Sequence, residues 1–181
     1  WRLAQENGAP GVHYQYRSEQ KLDEDLGFEI HDRSYFEKYD GETLLWSVSF
    51  TEFFIEDYAP VSGGVLVWGC TPVWASSQPS PAWLAKVDDE GNLLWKKALS
   101  HGFGDEYIAE VVENGDGTCA VFSRGDLQYL VLSQFTGAGE ELSTHKTQVG
   151  NQGIWIAARL GEDYIVQLGN RAENVDRIVK V

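Results

Sequence analysis

Gly41-Glu42-Thr43-Leu44-Leu45-Trp46-Ser47-Val48 and Gly91-Asn92-Leu93-Leu94-Trp95-Lys96-Lys97-Ala98 are one phrase written twice, with the two tryptophans 49 residues apart. Trp1-Arg2-Leu3 fits the same column 45 residues before Trp46, and Glu141-Leu142-Ser143 fits it about 47 residues after Trp95. Glu56-Asp57-Tyr58-Ala59 against Asp105-Glu106-Tyr107-Ile108-Ala109 is a second echo, again about 49 apart. A spacing that recurs at two phases marks a repeat architecture.

Within one period the signals are those of strands. Leu44, Trp46, Val48 and Phe50 alternate with Leu45, Ser47 and Ser49, the period of two that puts one side of a strand against a core. Gly63-Gly64, Asp89-Glu90-Gly91-Asn92, Asn114-Gly115-Asp116-Gly117 and Gly137-Ala138-Gly139 supply hairpin turns. No window carries a sustained helical stripe. Strands are expected near 56–62, 64–70, 82–88 and 93–99, then 105–113, 118–123, 128–135 and 140–148, then 154–160, 164–168 and 177–181. Ahead of them come strands near 12–17, 28–31, 35–39 and 43–50.

Four strands per 45–50 residues is the unit of a β-propeller blade. A parallel β-helix requires shorter rungs, and a sandwich does not repeat. The expected fold is therefore all-β: a single propeller domain or propeller segment over 1–181, built of four-stranded antiparallel blades. The repeat units fall at about 6–50, 51–99, 100–148, and 149–181 completed by 1–5. That phasing fits a closed four-bladed ring and an arc of a larger ring equally well.

Composition narrows the function classes. The chain has 181 residues, 43% apolar and 23% charged, the balance of a folded globular protein. No apolar run approaches the roughly 20 residues of a membrane helix, so no membrane insertion is expected. Asp and Glu number 28 against 14 Lys and Arg, a net charge of −14 that repels phosphate backbones and argues against nucleic acid as a partner. There is no Met, so the sequence is expected to be processed or part of a longer chain.

The stretch from Pro81 through Lys86-Val87-Asp88-Asp89-Glu90-Gly91-Asn92-Leu93-Leu94-Trp95 to Asn114-Gly115-Asp116-Gly117 resembles the repeats of secreted and surface-anchored bacterial β-propellers of quinoprotein-like type. The resemblance is good over about 81–117 and fair over 35–69. It implies an extracellular or cell-surface location and carries no catalytic residue to this chain. Asp89-Glu90-Gly91 also has the turn of a sialidase Asp-box, with Trp95 one residue too far on; in those families the motif is structural.

Few residues point to chemistry. His13, His31, His101 and His145 fall in four different repeats without metal-ligand spacing, so no metal is expected. Cys70 and Cys119 lie 49 apart on comparable strands and are expected to be buried free thiols. Glu113-Asn114-Gly115-Asp116-Gly117 and Asp23-Glu24-Asp25 are the oxygen-rich stretches that leave calcium open. The first lacks a terminal bidentate Glu and reads equally as a hairpin, and the second reads as a solvated acidic loop. There is no Gly-x-Ser-x-Gly elbow and no Ser or Cys with an evident base.

One departure from the repeat stands out. Between the second and third strands of one unit the chain inserts Thr71-Pro72-Val73-Trp74-Ala75-Ser76-Ser77-Gln78-Pro79-Ser80-Pro81, where the next unit has only Arg124-Gly125-Asp126-Leu127. Insertions of this kind map to loops on one face, commonly the binding face. Trp74, Arg124 and Asp126 are therefore the candidate ligand-binding residues. The expected function is non-catalytic binding of a protein or glycan partner. The alternatives are a quinoprotein-like or glycosidase-type enzyme with its site in the central channel, and a structural module of a larger surface protein.

Overall fold

The computed structural model describes residues 11–23, 28–71, 80–126, 128–150, 152–170 and 175–180. Among them are fourteen strands, all in antiparallel sheets, and no helix. Among the described residues no helix is long and apolar enough to cross a membrane. The strands are β1 (Val12–Asp23), β2 (Phe28–Asp40), β3 (Thr43–Phe50), β4 (Phe54–Val61), β5 (Gly64–Cys70), β6 (Ala82–Val87) and β7 (Leu93–Leu99). They continue with β8 (Glu106–Glu113), β9 (Cys119–Gly125), β10 (Tyr129–Phe135), β11 (Glu141–Gln148), β12 (Gly153–Leu160), β13 (Asp163–Asn170) and β14 (Val175–Lys180).

The four sheets follow chain order: β1-β2-β3, β4-β5-β6-β7, β8-β9-β10-β11 and β12-β13-β14. Each is a meander of consecutive strands. The chain divides into two compact units, Trp1–Ser77 with Trp83–Lys96, and Gln78–Ala82 with Lys97–Val181.

A bulge recurs at one place in three sheets. The pairing register slips after Ile55 in β4, after Ile108 in β8 and after Ile154 in β12, leaving Glu56, Ala109 and Trp155 as the extra residues. A bulge re-aims the strand that carries it, and its recurrence makes these strands structural equivalents. It also corrects one alignment. Tyr58 lies beyond its bulge whereas Tyr107 lies before its own, so the second echo in the sequence does not pair equivalent positions. Two members of the tryptophan column do correspond: Trp46 follows a bulge as Lys38's partner, and Ser143 follows one opposite Gln134.

The first sheet departs from the expected four strands. Residues 28–31 and 35–39 belong to one strand, β2, because β1 runs on to Asp23 and pairs with the whole of it. Asp32-Arg33-Ser34 looks like a turn by composition. Arg33 instead opposes Glu19 and His31 opposes Gln20, so Asp32 is absorbed as a bulge, and its carboxylate meets Lys21 Nζ at 3.0 Å.

Each unit has its own core. In the first, Tyr14, Phe36 and Phe50 meet Phe53, Ile55, Val65, Val67, Ala85 and Val87. In the second, Ala120, Phe122, Leu130 and Leu132 meet Ala157, Tyr164, Val166 and Leu168. Leu44, Leu45, Leu93 and Leu94 at the start of the outer strands are exposed, while Trp46 and Trp95 beside them are half-buried.

Candidate functional site

Of the three residues the insertion singles out, Trp74 lies outside the described residues. Arg124 and Asp126 lie at one end of the second unit. Asp126 follows β9 with φ at +46°, a left-handed conformation in which Asp is tolerated. Its Oδ1 accepts from the backbone N–H of Gly104 at 2.7 Å and of Asp105 at 3.2 Å, and its own N–H donates to the Asp105 carbonyl at 2.9 Å. Its carboxylate therefore fixes the segment ahead of β8. Arg124, half-buried near the end of β9 opposite Tyr107 and Leu130, has its pKa lowered by burial.

The exit of the insertion arrives at the same place. Ser80 forms a parallel bridge with Asp105; its N–H donates to the Gly104 carbonyl at 2.9 Å, and its carbonyl accepts from Glu106 at 3.1 Å. Phe103 covers Gly125, where an added Cβ would collide with the ring, and its centroid lies 5.1 Å from that of Tyr129. Lys146 Nζ stands 5.0 Å from the Phe103 centroid, within cation–π range. This end thus gathers two half-buried aromatic rings, a guanidinium, an ammonium and a carboxylate around the foot of the inserted segment.

The remaining sequence candidates sort quickly. Asp116 accepts from Thr118 N at 2.9 Å and Thr118 Oγ1 at 2.6 Å, and the hydroxyl bond, chiefly, lowers its pKa; Gly115 and Gly117 have positive φ. These are the contacts of a hairpin turn. Of Asp23-Glu24-Asp25, only Asp23 is described, at the end of β1. Among the described residues no group of three or more His, Cys, Asp or Glu is placed to hold a metal ion. Cys119 is buried, and the half-buried Cys70 donates its Sγ–H to Glu56 Oε1 at 3.4 Å.

A polar cluster that the sequence does not announce lies beneath this end. His101 Nδ1 meets Glu106 Oε1 at 2.5 Å, and the same oxygen accepts from Ser123 Oγ at 2.6 Å. On the other side of the ring, His101 Nε2 lies 3.1 Å from Ser133 Oγ and 3.2 Å from Glu141 Oε1. Ser133 Oγ is 3.0 Å from Thr144 Oγ1, which donates to Glu141. Ser133, His101 and Glu106 match in order a serine nucleophile, its base and the carboxylate that orients the base.

The surroundings oppose that chemistry. Ser133 is 1% exposed, so no substrate reaches its hydroxyl. Nε2 must be unprotonated to take the serine proton, yet the Glu141 carboxylate beside it favours the imidazolium. The bond to Glu106 raises the His101 pKa most; burial opposes it, and Glu141 adds to the rise. Burial likewise works against ionised Glu141, but the Thr144 hydroxyl and the His101 ring outweigh it and lower that pKa. The cluster is a charged lock between strands rather than an active site.

The equivalent positions in the second sheet make the contrast plain. Two residues before the bulge isoleucine stands Phe53 where the third sheet has Glu106, and opposite that isoleucine stands Gly69 where the third sheet has Ser123. The lock is a polar exchange for the Phe53 and Gly69 of the second sheet. No protein-family profile matches this chain, and no curated protein sequence matches it.

Proposed function

We propose that this chain is a propeller-type module in which each sheet is one blade, and that it binds a protein or glycan partner outside the cytoplasm. Recognition falls to the end of the second unit where the insertion returns to the sheet. The convergence of Ser80 with the Asp126 turn carries this reading: the one long departure from the repeat and the half-buried Phe103, Tyr129 and Arg124 share a single end. Asp126 acts there as the brace that holds the turn. Rigid sheets with function placed on their connections are the usual division of labour in repeat folds.

The experiment is a screen of the labelled chain against a glycan array and a displayed-peptide library, followed by the same screen with Tyr129→Ala and Arg124→Ala. Aromatic and arginine side chains dominate most recognition surfaces. A ligand found in either screen should lose about tenfold or more in affinity for each variant, equivalent to roughly 1.4 kcal/mol. Unchanged affinity in both variants would move the binding surface elsewhere.

A further inference from the structure

His101 sits where four strands can be tied by one ring. Its Nδ1 reaches Glu106 at the start of β8; its Nε2 reaches Ser133 on β10 and Glu141 on the outer strand β11, while Ser123 on β9 joins through Glu106. The His101 side chain is 6% exposed, that of Glu106 3% and that of Glu141 38%, so one carboxylate is enclosed and the other opens to solvent. Two charged groups face the ring from β8 and β11, Glu106 and Glu141. A third, Lys146 on β11, donates its Nζ–H to the His101 carbonyl and places its charge over Phe103. His145, also on β11, is exposed and alternates to the opposite side from Thr144 and Lys146.

We propose that His101 is a pH-operated latch for the outer strand. As an imidazolium it ties β11 to β8 through both carboxylates; on losing its proton it keeps Glu106, turns its Nε2 lone pair to the Ser133 hydroxyl and releases Glu141. The proton balance enforces this. A neutral imidazole has one N–H, and the 2.5 Å contact with the enclosed Glu106 keeps it on Nδ1. Nε2 is then an acceptor only. Ser133 Oγ–H can donate to it, whereas ionised Glu141 has nothing to offer it. The released carboxylate is half in solvent already, so the strand end that carries it loses its inward tie. The bond to Glu106, chiefly, raises the His101 pKa, so the transition lies above the ordinary histidine value.

The test uses the whole 181-residue chain and two readouts. An NMR titration of the ring carbons follows His101, and amide exchange, normalised to the intrinsic rate at each pH, follows Ser143–Lys146 on β11 with β9 as internal reference. His101 should titrate above 6.5, and β11 protection should fall about tenfold for each pKa unit by which the folded value exceeds the unfolded one, with β9 unchanged. Glu141→Gln should lower the His101 pKa and abolish the pH dependence of β11 protection, while His145→Gln should leave both as in the wild type. Equal β11 protection above and below the His101 transition in the wild-type chain would overturn the latch without any variant having to fold. Retention of the pH dependence in Glu141→Gln would overturn it also.

Discussion

Gly91→Ala probes how the turns of one sheet sit on the tryptophan of the sheet before it. Gly91 closes the β6–β7 turn, in which Asp88 accepts from Glu90 N at 3.1 Å and Asn92 N at 2.7 Å and holds the Asn92 amide at 2.9 Å. Trp46 Nε1 donates to the Asp89 carbonyl at 2.9 Å, which lays the indole against the turn. A Cβ on Gly91 would stand 2.6 Å from Trp46 Cγ and 2.8 Å from Trp46 Cβ, atoms near the root of the side chain that cannot swing away. Its φ of +89° adds a backbone cost of about 1–2 kcal/mol for any L side chain. Forced overpacking adds about 1–3 kcal/mol. The sum, about 2–5 kcal/mol, corresponds to a fall in Tm of roughly 4–20 °C for a chain of this size. Gly41→Ala is the control, since Gly41 also has positive φ, +56°, with nothing within 4 Å of the added carbon. It should cost the backbone term alone. Thermal unfolding of both variants, and of Gly91→Ala with Trp46→Ala, measures the packing term through their coupling. Equal losses in the two glycine variants, or no coupling to Trp46, would refute the contact.

The other expectations are brief. Stability should fall as pH rises through the His101 transition: its folded pKa is raised, so its contribution is complete below the unfolded value and is lost above the folded one. Glu141 acts with the opposite sign; its folded pKa is lowered, so its share is lost as pH falls through that value, and Tm against pH should pass through a maximum between the two. Trp74→Ala should change stability by less than about 1 kcal/mol in a melting curve, as surface substitutions generally do. A loss of several kcal/mol would make the inserted segment a packed lid.

The repeat was readable because it is written in turn chemistry. Gly41, Gly91 and Gly139 all adopt positive φ between the third and fourth strand positions, and a Gly followed within three residues by Leu-Leu-Trp marks two of those turns in the sequence itself. β3, β5 and β7 have the bounds expected of them, but Leu44 is exposed rather than on the core side with Trp46, because Leu45 is the extra residue of a bulge. Asp32-Arg33-Ser34 misleads because polar composition is shared by turns and by bulged strands, and only the pairing with Glu19 and Gln20 decides between them. The Tyr58–Tyr107 echo misleads for a related reason: a bulge changes which residues are equivalent without changing the spacing.

The candidate site was legible in part. An insertion relative to the repeat points to one end from spacing alone, and its exit at Ser80 bridges Asp105, whose N–H donates to Asp126. The role of Asp126 as a turn brace was invisible, because it depends on the N–H groups of Gly104 and Asp105, 22 and 21 residues earlier. The lock around His101 was invisible for the same reason. Its members come from four strands and a connecting segment, and no local pattern joins His101 to Ser133 or Glu141. One signal was available: Glu106 and Ser123 stand where an adjacent repeat has Phe53 and Gly69, once the bulges rather than the tyrosines set the alignment.

Cross-strand nuclear Overhauser contacts in solution test the central claim, that each repeat is one antiparallel meander sheet, most directly. The account predicts backbone contacts between directly opposed residues on consecutive strands only: Phe36 with Val48 in the first sheet, and Leu132 with both Phe122 and His145 in the third. The slips after Ile55, Ile108 and Ile154 should appear as the same one-residue irregularity in three sheets. Backbone contacts between non-consecutive strands of one repeat, or helical sequential patterns across any of these segments, would contradict it.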